Sequence, residues 1–302
     1  MNNSTDLNHN NELGDEIDIK SLLKTILDSK RLIIISTALF AIIALVYSLS
    51  LSNIYQSTAL LSPVGEKSSS SNSMNNLGGL ASLAGISISS SSGGNSDKAI
   101  TKITTLSFFK ENILPNIFLP DLMAVSTWDE ESNSVIYNNS IYSVQTGKWN
   151  KIPHPQKSYK VFLDNLEISQ DDKTKFLTIS YKHQSPHIAK EWVDLVVNQI
   201  NDYFRVKDKR EAQAAMNFLN AQMALTSYTE IKQVVAQLLK QKMQQLTLIE
   251  ANEFHVFSYL DQPAVPKEKI APSRSSICIL GTIFGFMLGV VIVLVRGYFK
   301  QD

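Results

Sequence analysis

Two apolar stretches that contain no charged residue decide the fold. Residues 32–51 read LIIISTALFAIIALVYSLSL, and residues 275–295 read SSICILGTIFGFMLGVVIVLV. Each is close to the roughly 20 residues that an α-helix needs to cross a hydrocarbon core about 30 Å thick. We therefore predict two transmembrane helices at these positions, with residues 52–274 between them. The single cysteine, Cys278, excludes an intrachain disulfide and a cysteine-based metal site.

Basic residues predict how the chain sits in the membrane. No Lys or Arg follows the first stretch until Lys67, whereas four precede it closely: Lys20, Lys24, Lys30 and Arg31. The positive-inside tendency then places residues 1–31 in the cytoplasm, residues 52–274 outside it and residues 296–302 back in the cytoplasm.

Two signals leave alternatives open. The basic residues around the second stretch favour the opposite orientation, but the first span usually dominates. Ser48 and Ser50 resemble a signal-peptide cleavage site, although the apolar stretch is longer than the usual core of about 7–15 residues.

The charge balance excludes one class of function. The chain has 28 basic and 28 acidic residues, and charged residues make up 19% of its 302 positions. A nucleic-acid-binding protein normally carries a basic excess, so we predict no nucleic-acid partner.

The first part of the region between the spans is predicted to be mixed. Residues 68–96 contain 21 Ser, Gly or Asn residues and form a predicted loop, interrupted by the small apolar island Leu77–Ile86. The remaining predictions are a strand at 54–61 with Tyr55, Ser57 and Ala59 on one face, a helix at 98–112, a hairpin of 135–142 with 146–152 around Gly147, and strands at 162–168 and 175–181.

Residues 187–262 are predicted to be a long helical region, because they contain neither Gly nor Pro. A break is expected near 225–229, where Thr, Ser and Tyr interrupt the helix formers. Two apolar stripes need a surface, which is either the subunit's own core or a neighbouring subunit: Trp192, Leu195, Val196 and Tyr203 in the first, and Ile231, Val234, Val235, Leu238, Leu239, Leu246 and Ile249 in the second.

Small residues and prolines mark the second membrane stretch. Gly281, Gly285 and Gly289 share one helix face, which favours close packing against another helix. Just before that stretch, residues 261–274 read DQPAVPKEKIAPSR and place three prolines at short intervals: Pro263, Pro266 and Pro272. Proline fixes φ and removes a donor, so this segment is predicted to be extended and stiff, or else an ordinary connector.

No motif in the sequence predicts catalysis or a cofactor. There is no phosphate-binding loop, and Pro186 opposes a helical metal site at His183 and His187. The acidic group 129–131 beside Trp128 could suggest a sugar-cleaving site, but a solvated turn explains adjacent carboxylates better. We therefore predict no enzyme activity, no metal and no cofactor.

The order of these features resembles the Wzz-type polysaccharide co-polymerases, also called chain-length determinant proteins. Residues 16–24 (EIDIKSLLK) are similar to the family's entry motif, and Tyr55–Ala59 to the segment that follows the first span. Residues 261–272 resemble its proline-rich signature. Residues 77–86 and 128–149 are similar to a subgroup of the family.

This resemblance implies an α+β fold in which two transmembrane helices flank a periplasmic α/β base that carries a long extended helix or helical hairpin. It implies a non-enzymatic protein of the Gram-negative inner membrane, with both termini cytoplasmic. Its subunits would form a homo-oligomeric ring that regulates the modal length of lipopolysaccharide O-antigen. The implied partners are a separate O-antigen polymerase, the membrane and the growing lipid-linked glycan.

Other functions remain to be separated from this one. The sequence ends at Asp302 without the kinase domain of one branch of the family, so a capsule or exopolysaccharide co-polymerase with a separately encoded tyrosine kinase is the alternative. A two-span sensor receptor would need a cytoplasmic output domain. A periplasmic hydrolase would need a convincing pair of acid and base residues.

Overall fold

The computed structural model describes residues 29–64 and 94–298, and it divides into two units. One unit contains the two apolar helices, and the other covers Ser52–Ala271. Four predicted segments lie wholly or mostly outside the described residues: the entry motif 16–24 with most of segment 1–31, the island Leu77–Ile86, most of the loop 68–96, and the last four residues of the tail 296–302.

Helices and strands alternate along the described chain. The helices are α1 (Lys30–Ser50), α2 (Gly94–Ile103), α3 (Leu106–Phe108), α4 (Leu119–Met123), α5 (Pro155–Asn165), α6 (Pro186–Leu225), α7 (Thr229–Ala251) and α8 (Arg274–Tyr298), with a π-helical turn at Phe109–Ile113 and a 3₁₀ turn at Leu114–Asn116. The strands are β1 (Tyr55–Pro63), β2 (Val125–Asp129), β3 (Ser134–Tyr137), β4 (Tyr142–Ser143), β5 (Lys148–Trp149), β6 (Leu166–Gln170), β7 (Leu177–His183) and β8 (Phe257–Asp261).

The predicted α+β class is confirmed by an antiparallel sheet covered by the long helix α6. Four strands lie in the order β6-β7-β1-β8. On β1 the side chains of Tyr55, Ser57, Ala59 and Leu61 are buried at every second position, as the sequence predicted for the first three. This alternation gives the sheet one face for the core. Trp192 and its apolar neighbours on α6 pack against that face.

The two membrane-length helices differ little from their predicted ranges. Helix α1 begins at Lys30 and ends at Ser50, and α8 extends over Arg274–Tyr298. Both are long and apolar enough to cross a membrane. The predicted tail 296–302 is therefore shorter than expected, because Arg296 and the next two residues continue the helix.

The long helical region divides as predicted at its middle but not at its end. Helix α6 ends at Leu225 and α7 begins at Thr229, which matches the expected break. Helix α7 stops at Ala251, and residues 257–261 form the edge strand β8 instead of the last turns of the predicted helix. Phe257 is fully buried at the start of this strand, so its environment in the core overrides the helical composition of the region.

Two predicted strand assignments are also corrected. Residues 162–165 belong to α5, where Ser158 and Phe162 face the core four residues apart, as expected on a helix. The strand at 134–137 pairs with β2 rather than with residues 146–152. Asn133, with a φ of +46°, allows the tight turn between them. The hairpin around Gly147 does form, but each of its strands has only two residues.

The buried side chain of Asn201 joins α6 to β8. Its Oδ1 accepts hydrogen bonds from three consecutive backbone N–H groups, those of His255, Val256 and Phe257, at 3.1, 2.8 and 3.0 Å. Its Nδ2 donates to the carbonyl oxygens of Val197 and Phe257. The amide thus satisfies the backbone at the point where the chain leaves the helical region and enters the sheet.

Asn201→Leu is expected to lower the free energy of unfolding by about 3 kcal/mol, because each buried N–H left without an acceptor costs about 1–3 kcal/mol. Equilibrium urea unfolding of the detergent-solubilised full-length protein, followed by tryptophan fluorescence, measures the change. Asn217→Leu, at an exposed position of the same helix, is the control. Equal stability of the two variants would contradict the role assigned to Asn201.

Candidate functional site

The helices α6 and α7 form an antiparallel hairpin whose base is held by polar contacts. His255 Nε2 lies 2.8 Å from Asp208 Oδ2. Arg205 donates to the carbonyl oxygens of Asn252 and Glu253. These contacts fix the start of the hairpin beside the sheet, so the rest of it projects from a defined base.

The outer part of this hairpin exposes many apolar side chains. Beyond Phe204, the only buried residues described on the two helices are Ala212, Val235 and Ile249. At about 1.5 Å per residue, the stretch from Phe204 to Leu225 is about 30 Å long. The large apolar side chains that it and α7 leave exposed are the hairpin face: Val206, Phe218 (63% exposed), Leu225 (77%), Tyr228 (70%), Ile231, Val234, Leu238, Met243 and Leu248.

The residues of the two predicted stripes therefore lie in different surroundings. Those of the first stripe close the subunit's own core, with Trp192 and Val196 buried and Leu195 and Tyr203 packed against it. Those of the second are divided between the hairpin's inner side and its exposed side. Val235 and Ile249 are buried, Leu239 and Leu246 are half-buried, and the exposed members are Ile231, Val234 and Leu238.

Helices α1 and α8 pack closely along the three glycines. A Cβ at Gly285 would lie 2.6 Å from the Cβ of Phe40, and one at Gly289 would lie 3.2 Å from the Cα of Ile33. Gly281 lies against Ala44 in the same way. Ser36 Oγ donates a 3.0 Å hydrogen bond to the Gly285 carbonyl, which becomes accessible because glycine lets the backbones approach.

The proline segment before α8 runs extended beside the start of β1. Ile54 and Ala271 form an isolated antiparallel bridge, and the Ile54 N–H donates to the Ala271 carbonyl at 2.9 Å. Ser57 Oγ donates to the Ala264 carbonyl at 2.8 Å. Pro263 is buried, Pro266 and Pro272 are half-buried, and the segment contains no helix.

A cavity of about 160 Å³ lies between β7, α4 and the start of β2. Its lining mixes apolar and polar side chains: Ile54, Asp121, Leu122, Met123, Val125, Asn165, Tyr181, Lys182, His183 and Gln184. His183 accepts the Ser185 N–H on Nδ1 and so donates from Nε2 to the Asp121 carbonyl at 2.9 Å. Burial lowers the pKa of His183, which keeps this ring neutral in that arrangement.

An aromatic cluster lies next to this cavity in the chain's two small hairpins. It consists of Phe118, Tyr137, Tyr142 and Trp149, whose neighbouring ring centroids are 5.1–6.3 Å apart. The Tyr137 hydroxyl donates a 2.5 Å hydrogen bond to Asp121 Oδ1, and Asp121 also lines the cavity. Burial raises the pKa of Asp121, an effect that this hydrogen bond opposes.

Sequence reasoning missed both the cluster and the cavity. Their residues are scattered between positions 54 and 184, and no local periodicity connects them. A signal did exist for Asn201, a polar residue next to Ile200 on an otherwise apolar helix face. The acidic group was read correctly as a turn, since Asp129 accepts hydrogen bonds from Glu131 N and Ser132 Oγ.

Metal ligation was also weighed from the sequence. Within residues 29–64 and 94–298, no three His, Cys, Asp or Glu side chains lie together in a group that could hold a metal ion. His183 uses both of its ring nitrogens in hydrogen bonds to the backbone.

This chain is similar to three solved structures. A full-length bacterial polysaccharide co-polymerase is 15% identical, with 94% of this chain and 99% of that chain covered and a TM-score of 0.46. A fragment of the polysaccharide co-polymerase WzzB from Salmonella Typhimurium is 16% identical, covering 72% and 100% with a TM-score of 0.30. A mutant of the Shigella flexneri lipopolysaccharide O-antigen chain-length regulator WzzB is 12% identical, covering 72% and 99% with a TM-score of 0.22. No curated protein is similar enough to count as a relative.

Two family models match the chain itself, one toward each end. Residues 222–298 match the G-rich domain on putative tyrosine kinase, called GNVR. This match covers α7, β8, the proline segment and α8. Residues 15–113 match the chain length determinant protein family, called Wzz, and include the first apolar helix and β1. The chain belongs to the Wzz-type family of polysaccharide co-polymerases.

Proposed function

We propose that this protein regulates the modal chain length of lipopolysaccharide O-antigen made by a separate membrane polymerase. It does so without catalysis, as a ring-forming oligomer whose main domain lies in the periplasm. Membership of the Wzz family supports the co-polymerase role, and the two membrane-length helices support an inner-membrane location. The basic residues before α1 support cytoplasmic termini.

The observation that carries the oligomeric part of the proposal is the hairpin face. Large apolar side chains such as Phe218 and Leu225 lie in contact with solvent on a helical hairpin that extends beyond the subunit's core. A contiguous apolar surface of this kind marks an interaction site. The same face of a neighbouring subunit provides long helices of matching composition, and a heterologous contact repeated by rotation closes into a ring.

A ring of this kind explains length control without an active site. Each subunit presents the same surface, so the growing glycan or its polymerase meets several equivalent binding places. Repeated weak contacts prolong the engagement of the chain beyond that of any single contact. The modal length then follows from how long the complex stays assembled, and the subunits themselves need no acid, base or nucleotide.

The second candidate function is a capsule or exopolysaccharide co-polymerase that works with a separately encoded tyrosine kinase. The specific observation in its favour is the match of residues 222–298 to a domain described on a putative tyrosine kinase. Under this alternative the hairpin and the membrane helices keep the same roles, and only the polysaccharide and the partner differ.

A strain that lacks the gene tests the proposal directly. Silver-stained gels of surface lipopolysaccharide are compared between the deletion strain and the same strain with the gene restored. We expect a random ladder in the deletion strain and a defined modal cluster in the restored strain. An unchanged ladder would reject the O-antigen function. A change in the size of capsule or exopolysaccharide alone would support the second candidate.

Gly285→Leu is expected to shift the polysaccharide length distribution and reduce the oligomer size, because a side chain at this position collides with Phe40 and separates α1 from α8. Val291→Leu, at an exposed position of the same helix, is the matched control. Membrane fractionation checks that both variants insert. Unchanged glycan length together with unchanged oligomer size would reject a functional role for the glycine face.

A further inference from the structure

We propose that the cavity beside β7 binds one uncharged sugar residue of the polysaccharide, and that the neighbouring aromatic cluster supports the next residue of the glycan. This inference rests on the proposed function, because it assigns a contact surface to the polymer whose length the protein regulates. The argument uses the polar atoms of the cavity, its size, its charge and the aromatic rings beside it.

Two polar atoms on residues of the cavity wall lack partners. The Tyr181 hydroxyl and Gln184 Oε1 are buried, and neither has a hydrogen-bond partner within the described part of the chain. Tyr181 is fully buried against Phe162 and Trp192, so its ring cannot swing out to reach solvent. Buried polar groups are normally satisfied. One donor and one acceptor left open at a cavity match the hydroxyl groups of a sugar, which both accept and donate.

The size of the cavity fits a single sugar ring. At about 30 Å³ for each water in the liquid, 160 Å³ corresponds to about five water molecules. This is smaller than the sites of about 300–1,000 Å³ that hold drug-sized ligands. Leu122 and Met123 give the wall an apolar side for the C–H face of a pyranose, opposite to its hydroxyl groups in character.

The charges around the cavity are compensated within the protein. Lys182 Nζ lies 3.2 Å from Glu167 Oε2. Asp121 accepts the hydrogen bond from Tyr137, and His183 donates to the backbone. A charged ligand would meet no free counter-charge on these residues, so an uncharged sugar is the better match.

The aromatic cluster extends this site along the glycan. Tyr137 connects the two through its hydrogen bond to Asp121. Phe118 is 53% exposed and contacts both Tyr137 and Tyr142 edge to face, while Trp149 packs on Tyr142. Exposed rings offer a flat apolar surface beside polar groups, an arrangement suited to the C–H faces and hydroxyls of a sugar.

Fluorescence polarisation with the full-length protein in detergent tests the site. The probe is the oligosaccharide fraction released by mild acid from the strain's own surface polysaccharide and labelled at its reducing end. Tyr181→Phe and Gln184→Leu are each expected to weaken binding about five- to tenfold, the effect of one lost hydrogen bond. Tyr259→Phe is the matched control, since it removes a hydroxyl from the same sheet that bonds Asp194 instead of facing the cavity residues.

The outcomes separate this inference from the proposed function. Affinity that is unchanged in both cavity variants, or no binding by the wild-type protein, would overturn the sugar site even if the restored gene sets a modal length. Weakened binding in both variants supports the site even if the deletion leaves O-antigen unchanged. Urea unfolding of each variant verifies that it is folded, and Gln184→Leu keeps the test valid if Tyr181→Phe is unstable.

Discussion

The structure of the region between the membrane helices depends on one buried amide. Asn201 satisfies three backbone N–H groups where the chain returns from the helical hairpin and begins β8. Without this junction, the end of α7 has no reason to stop and the sheet loses its edge strand. Because β8 pairs with β1, which follows the first membrane helix, the amide links the hairpin to the strand nearest the membrane along the chain.

The junction explains how one chain carries two kinds of surface. Trp192 and Val196, on the first part of α6, are buried in the subunit's own core. Beyond Phe204 the same helix leaves the core, and its apolar residues face outward together with those of α7. Helical stripes need cover, and only the first of these has it within the subunit. The hairpin face is therefore the surface through which we expect subunits to meet.

The sequence predicted most of the fold because many of its signals are local. The membrane helices follow from length and composition, β1 from the alternation at Tyr55, Ser57 and Ala59, and the hairpin break from the residues at 226–228. Strand β8 was missed because its composition continues that of the helix before it. What fixes β8 is a hydrogen bond between residues 56 positions apart, which no local pattern reveals.

The functional surfaces were predicted unevenly for the same reason. The three glycines lie on one helix face at a spacing that can be read directly, and the structure places them against α1. The cavity has no such spacing, since α4, β7 and the start of β2 meet only in the folded unit. Whether an apolar stripe closes a core or forms an interface also depends on tertiary structure, as Val235 and Ile231 show on the same helix.

The measurement that tests the central claim most directly is the native mass of the detergent-solubilised protein before and after Phe218 and Ile231 are both changed to serine. If the hairpin face joins the subunits, the wild-type protein has a mass several times that of its 33.7 kDa chain, and the double variant is reduced to smaller species while it remains folded. A wild-type monomer, or a double variant with the same mass as the wild type, would contradict the account.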